Sequence, residues 1–403
     1  MSRPQAPGPD HPAPGWLAER LRAAGGAVSF AQYMDWALHD PEQGAYGSGR
    51  LQVGPGGDFA TSPSLGPDFA ALLAPQIAQW LQQVIGAQPH PRFSLIEAGP
   101  GEGDLAADLV AALLEGWPEL APRLELVLVE PNAGMAARQR AHLATCPLPV
   151  RWCSFAELAA TPHQGVLLAH EVLDALAVER VQYDGATWRR QFVVLDEGAA
   201  ATPSLRLDLG EALAPASDEA LWSQLQQRGL IDAPLPSGWT TELHPGQGPW
   251  LQQAAAALKV GVLLVIDYAL EASRYNAPAR RDGTLLAYRG QRASGDPLLE
   301  PGHWDLTAHL CLETLDAAAG DAGWHSVGHC RQGEALLALG LARRLHGLQQ
   351  LPPQHLATAL ARREALLRLV DPAALGEFRW IAYQRGLGAA LPTPHFLSPM
   401  PQI

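Results

Sequence analysis

Nothing in the chain is long and apolar enough to cross a bilayer: its longest apolar runs, such as Val260 to Ile266, fall far short of the roughly 20 residues a spanning helix needs. The first fifteen residues hold five prolines and neither an apolar core nor an arginine-rich amphipathic pattern, so no secretion or organelle signal is expected. Cysteine is scarce. Cys146, Cys153, Cys311 and Cys330 form no C-x-x-C pair, which argues against a zinc ribbon or a disulfide framework and points to a reducing cytoplasm. Positive charge is also short: the formal net charge is -13, and no basic patch precedes the C-terminal third, so a general nucleic-acid binder is not expected. Arg343-Arg344, Arg362-Arg363 and Arg368 lie in Leu- and Ala-rich helical sequence and read as a solvated helix face. What remains is a soluble globular protein, 403 residues long and 47% hydrophobic, whose acidic surface would steer basic protein segments toward it.

The most informative stretch that is present runs from Ser94 to Leu105, SLIEAGPGEGDL. Arg92 to Ile96 reads as a short buried strand, and Asp104 to Leu114 as a helix with Leu105, Leu109 and Leu113 on its apolar face. The glycines between them let backbone approach a ligand without a Cβ clash, at a helix N-terminus suited to holding one. A dinucleotide fingerprint would read G-x-G-x-x-G; here the order is Glu97, then Gly99-x-Gly101-x-Gly103, which favours S-adenosylmethionine (SAM) over NAD. Leu124 to Val129 is a second strand ending at Glu130-Pro131. An acid at that point can accept hydrogen bonds from both ribose hydroxyls, or it can cap the helix spanning Asn132 to Leu143.

Further elements follow along the chain. Trp16 to Ala24 predicts a short helix, Ser29 caps another through Tyr33 to Leu38, and Asp40 to Gly47 is a turn ahead of a glycine-rich segment, Gly47 to Gly57. Leu65 to Val84 has helical spacing. Val150 to Trp152, Gly165 to Ala169, Leu263 to Ile266, Gly323 to Val327 and Phe378 to Tyr383 complete seven predicted strands. Alternation with helices implies an α/β, doubly wound, Rossmann-like parallel sheet. Gly198 to Gly248 has poor periodicity and is expected to be an inserted substrate platform. Leu336 to Leu348 can be read as a homodimer face or as core.

Seven motifs in order resemble those of the MidA-type class I methyltransferases, whose mitochondrial member is a complex I assembly factor that methylates an arginine. They are Ser29-Phe30-x-x-Tyr33-Met34 with Pro41-x-x-Gly44-x-Tyr46; Gly57-Asp58-Phe59-x-Thr61-Ser62-Pro63; Glu97-x-Gly99-Pro100-Gly101-x-Gly103; Glu171-x-x-Asp174-Ala175-x-x-Val178; Ile266-Asp267-Tyr268; Gly283-Thr284-Leu285; and Pro301-Gly302-x-x-Asp305-x-Thr307-Ala308-His309. The resemblance covers about Ser29 to Gly386 and implies a SAM-dependent class I methyltransferase acting on protein arginine, a partner with a basic segment. It departs at His170 (usually Asn), Ala177 (Pro), Ala269 (Gly) and Cys311-Leu312 (Asp-Phe). The expected layout is a loose tail over 1–15, an N-terminal helical layer over 16–90 able to lid the cofactor, a methyltransferase core over 91–197 and 255–390, and the insertion over 198–254.

Methyl transfer from a sulfonium is an in-line displacement needing no metal, governed by positioning and local electrostatics. An arginine acceptor arrives protonated, so carboxylates must clamp its planar fork and draw charge from the attacking nitrogen. Glu171 and Asp174, after the fourth strand, are the leading candidates, against a reading in which they cap a helix and bond backbone amides. Asp267 and Tyr268 end the fifth strand and are candidates for the other side of the pocket. Asp305 would cap a helix that projects Thr307 and His309, the latter relaying a proton or simply packing. Glu97, Gly99, Gly101, Gly103, Glu130 and His170 are assigned to the cofactor, with Thr61 and Ser62 offering hydroxyls to its carboxylate and Tyr33, Tyr46 and Asp58 closing over it. The alternatives are a SAM-binding assembly factor with little catalysis, a small-molecule methyltransferase and, least favoured by the glycine spacing, an NAD enzyme.

Overall fold

Short, largely apolar runs such as FSLIEA and LELVLV are too short for buried helices, and here they become the middle of a seven-stranded sheet. The computed structural model of the protein describes residues 11–51, 54, 56–87, 92–198, 202–388 and 392–399. The sheet's strands are β1 (Phe93–Ala98), β2 (Leu124–Val129), β3 (Val150–Trp152), β4 (His163–His170), β5 (Leu258–Asp267), β6 (His325–Arg331) and β7 (Arg379–Arg385), in the order β6-β7-β5-β4-β1-β2-β3. From β5 to β3 all neighbours are parallel. The seventh strand corrects the all-parallel expectation: β7 runs antiparallel to both β5 and β6.

Both faces of this sheet are covered, as a parallel sheet requires. Leu95, Leu126, Leu128, Val166 and Leu264 share a core with helices α1 (Asp68–Ala87) and α2 (Asp104–Gly116), while the alternate residues Ile96, Val127, Leu167 and Val265 are buried just as fully. A third helix, α3 (Ala133–His142), follows β2 and is capped by Asn132, whose Oδ1 accepts the Met135 amide at 2.9 Å. Leu336, Leu341 and Leu348 belong to the same core, which decides between the two readings of that stretch: these leucines are buried within the chain.

The described chain divides into two compact units, one of 54–174, 247–269 and 315–399, containing the seven-stranded sheet, and another of 11–51, 175–246 and 270–314. In the second unit, Ala27–Ser29, Trp188–Asp196, Glu179–Tyr183 and Trp239–Leu243 form an antiparallel sheet in that order, and Ser204–Ala212 pairs with Trp188–Asp196. The stretch read as an insertion of poor periodicity over 198–254 holds two strands that complete a sheet begun elsewhere in the chain, the helix Glu219–Gln227 between them and the start of a second helix, Gln247–Ala257. Polar residues such as Arg206, Asp208 and Glu211 on Ser204–Ala212 and Thr240, Thr241 and Glu242 on Trp239–Leu243 diluted the apolar signal of these strands. The expected loose tail is only partly described: residues 1–10 lie outside the described set, and Ala13 donates to the Pro203 carbonyl at 2.8 Å just before the helix Gly15–Ala23. Ser29 caps its helix as expected, accepting the Gln32 amide at 3.3 Å. Of the glycine-rich segment 47–57, residues 52, 53 and 55 are outside the described set.

Candidate active site

Strand register brings the cofactor candidates together. Ala98 pairs with Val129 on β2 and with Ala169 on β4, and His170 pairs with Ile266 on β5, so the carboxyl ends of four strands lie side by side. Gly99, Glu130, Glu171 and Asp267 leave that edge together, where open α/β sheets bind ligands.

The glycine loop is built as its spacing predicts. Gly99, Gly101 and Gly103 all have positive φ, at 62°, 54° and 92°, and Gly103 opens α2. A Cβ on Gly99 would sit 2.8 Å from Val172 Cγ2, whereas one on Gly101 would meet nothing within 4 Å. The backbone of Gly101 thus faces open space, the close-approach cradle that a nucleoside cofactor needs. The Gly99 amide donates to the Val129 carbonyl at 3.0 Å, tying the loop to β2. Beneath it, Glu97 is 3% exposed, and burial, reinforced by nearby Asp104, pushes its carboxyl up to about 8.

At the end of β2, Glu130 takes the helix-steadying role of the two expected for it. Its Oε1 accepts the Asn132 amide at 2.8 Å, steadying the start of α3, and its Oε2 accepts Gln139 Nε2 at 3.0 Å. Burial raises its pKa, opposed by these two donors and by Arg138. Gln139 was missed in the sequence. It is a fully buried amide on the inner face of α3, next to Met135 and Ala136, and it also donates to the Gly101 carbonyl at 2.7 Å. The available signal was a polar residue at an inward helical position.

After β4 the chain becomes crowded with carboxylates. His170 is buried against Phe69, ring centroids 5.5 Å apart, with Nδ1 3.3 Å from Glu171 Oε1 and Nε2 lacking a hydrogen-bond partner among the described residues. Burial pushes its pKa down to about 3, so the ring is neutral near pH 7. Glu171 has φ 52°, a left-handed conformation that costs a non-glycine residue about 1–3 kcal/mol and is held here by its amide donating to the Ile266 carbonyl at 2.9 Å. Asp267 is fully buried and accepts the Leu173, Asp174 and Tyr268 amides at 3.0, 3.2 and 2.7 Å. Burial and the neighbouring Asp174 push its pKa upward against those donors. Asp267 is thereby committed to shaping the 171–174 turn, which corrects its reading as a pocket wall.

Two further assignments change. The Ser62 hydroxyl is buried and bonded to Gln332, 3.0 Å from its Nε2, so it braces the core instead of being offered to a ligand. Thr61 is buried too, its amide donating to Ser64 Oγ at 3.0 Å. Asp305–Thr307 is a strand paired with Leu286–Arg289, so no Asp305-capped helix presents His309. His309 belongs to the second unit, where its amide donates to Thr284 Oγ1 at 3.1 Å and its carbonyl accepts His244 Nε2 at 3.0 Å. Burial and then Arg280 and Arg274 push its ring down to about 4. Tyr33 and Tyr46 are in that unit as well: the Tyr33 hydroxyl donates to the Pro297 carbonyl at 2.7 Å, and Tyr46 stacks on His39. Among the described residues there is no cluster of His, Cys, Asp and Glu able to hold a metal ion, and no helix is long and apolar enough to cross a membrane.

Comparison with known proteins agrees with this geometry. A model of the family described as "Putative S-adenosyl-L-methionine-dependent methyltransferase" matches residues 72–330. A Drosophila melanogaster protein named Protein arginine methyltransferase NDUFAF7 homolog, mitochondrial, is 28% identical over 416 residues, covering 93% of this chain and 86% of its own. The human protein of that name is 28% identical over 349 residues, covering 79% and 71%. A crystal structure from Burkholderia thailandensis bound to S-adenosyl-homocysteine aligns with TM-score 0.80 and 30% identity over 96% of this chain and 94% of that one. The names of the animal relatives overturn the expectation of a cytoplasmic location, since each is mitochondrial. Cysteine spacing reports a reducing environment, which does not single out one compartment. With its positive-φ glycine cradle and strand-end acid, the chain belongs to this family of SAM-dependent methyltransferases, and SAM is its cofactor.

Proposed function

We propose that this protein transfers a methyl group to a guanidinium nitrogen of an arginine in a basic segment of a protein partner. The observation that carries the reading is the pair of carboxylates, Glu171 and Asp174, on the turn after β4, next to the strand that feeds the glycine loop. SAM, when bound, supplies an electrophilic methyl group on a sulfonium. The chain's own task is to hold the arginine fork in line and to take charge and a proton from the attacking nitrogen, and a carboxylate pair is suited to both. The backbone held at Glu171 in the left-handed region fits a side chain fixed for chemistry. The net charge of -13 favours approach of a basic segment.

A lysate supplied with SAM labelled in the methyl group tests this. Label recovered as methylarginine, and lost with Glu171→Gln, is the expected result; label on lysine alone, or none while SAM binding is intact, sinks the arginine reading. The second reading, a SAM-binding assembly factor with little catalysis, draws on Cys311. This thiol stands where the resembling family has Asp, and burial pushes it up to about 11, so it offers no anion near neutral pH. Intact partner binding together with absent transfer would favour it.

A further inference from the structure

We propose that Gln139 is a positioning residue that sets the cofactor site's selectivity for a ribose 2′,3′-diol, an inference that rests on Glu130 being the ribose anchor. The Gln139 side chain is fully buried, and every strong hydrogen-bonding group of its amide that geometry can fix is fixed. The Trp152 indole, which can only donate, gives its Nε1–H to Gln139 Oε1 at 3.0 Å. That contact determines which end of the amide is oxygen, so Nε2 points the opposite way with two hydrogens to give. One goes to the Gly101 carbonyl at 2.7 Å and the other to Glu130 Oε2 at 3.0 Å.

A single neutral side chain therefore ties the glycine loop, the anchor carboxylate and the end of β3 into one unit. Its effect on Glu130 is specific. An ionised carboxylate offers about four lone-pair sites. Asn132 takes one on Oε1 and Gln139 takes one on Oε2. One site remains on each oxygen, the number and spacing that two vicinal hydroxyls would use. Without Gln139 the carboxylate keeps its position in sequence but loses the constraint that turns both oxygens toward one diol. Among the described residues no charged side chain lies at hydrogen-bond distance from Glu130; nearby Arg138 is committed to Glu102 through two contacts of 3.0 Å. The amide is thus the chief fixed donor set by a side chain.

The test is calorimetric titration of the purified full chain with S-adenosylhomocysteine and its 2′-deoxy analogue. Wild type should favour the diol by about tenfold or more, the value of one lost hydrogen bond to a charged acceptor. In Gln139→Met, affinity for S-adenosylhomocysteine should fall by about tenfold while that for the deoxy analogue falls less than threefold, so discrimination collapses. Equal weakening of both ligands would show a merely structural role and overturn the proposal, as would no change in either. Because a buried amide can matter for folding, Trp152→Phe provides a second variant: it removes the indole donor, frees the amide to rotate and should lose discrimination in part. Glu130→Ala separates the two layers. Discrimination kept in that variant overturns the ribose anchor and the proposal with it; discrimination lost there but kept in both other variants overturns the proposal alone.

Discussion

The two halves of the sheet's carboxyl edge are built on opposite electrostatic terms. At the nucleoside half, Glu130 is held by amide donors from Asn132 and Gln139, and the loop carries three glycines in relaxed positive-φ geometry. At the half proposed to hold the acceptor, Glu171 and Asp174 lie on the turn after β4, Glu171 in a left-handed backbone, and Asp267, which shapes that turn from beneath, is so buried that its pKa rises. A site that only binds a neutral nucleoside end is satisfied by preformed hydrogen bonds. On the proposed function, a site that takes up a cation and its proton gathers carboxylates near one point, and the fold meets the cost in strain and desolvation.

Glu171→Gln should break that contrast most severely. Removing the charge while preserving shape is expected to slow methyl transfer by roughly 100- to 10,000-fold, the range for losing a positioned acid–base group, with S-adenosylhomocysteine affinity changed less than threefold. Single-turnover transfer and calorimetry on the same preparation check this; a matching fall in affinity would move Glu171 to the cofactor half.

Gly101→Val attacks the other half. The new side chain projects into open space beside the loop, where it occupies the cofactor's approach, and a β-branched residue at φ 54° adds about 1–2 kcal/mol of strain. SAM binding should drop by at least about 100-fold, while the melting temperature moves by only several degrees. Undiminished binding would mean that the cofactor lies elsewhere. Glu130→Ala is milder, with an expected loss of about 1–3 kcal/mol in SAM affinity from the unpaired hydroxyls. Unchanged affinity in that variant would show that the strand-end acid serves α3 alone.

The same contrast explains what was legible in the sequence. The glycine loop and Glu130 are local: strand, turn and helix follow each other within forty residues, and each carries its own turn chemistry or periodicity. Glu171 and Asp174 were legible as candidates by their place after a strand. What Asp267 does was not legible, because its partners Leu173 and Asp174 are more than ninety residues away and become neighbours only through the β4–β5 pairing. Ser62 was misread for the same reason, since Gln332 reaches it from 270 residues along the chain. Gln139 fell between the two cases, a local residue whose meaning depends on the loop above it. The antiparallel sheet of the second unit was hidden by polar residues scattered along its strands, such as Arg189, Arg190 and Gln191, and the reversal of β7 by the lack of any strand-direction signal in FRWIAY.

The smallest expected effect concerns Glu97, which lies beneath the nucleoside half and sharpens the comparison by behaving as the acceptor carboxylates do. Its folded-state carboxyl titrates near 8, against an ordinary value of 4.5, because burial and then Asp104 disfavour the charged form. Between those two pH values the folded protein keeps the proton and the unfolded chain has released it, so the folded state binds more protons and stability falls as pH rises. The contribution is fully present below about 4.5 and lost by the time pH passes about 8. Glu97→Gln removes the titration while retaining the shape and much of the polarity. In the ligand-free protein, the melting temperature of the variant relative to wild type should therefore climb by a few degrees between pH 5 and pH 8.5. A constant difference across that range would mean that Glu97 is ionised in the folded protein, stabilised by donors around the glycine loop, and that the nucleoside half carries a buried negative charge after all.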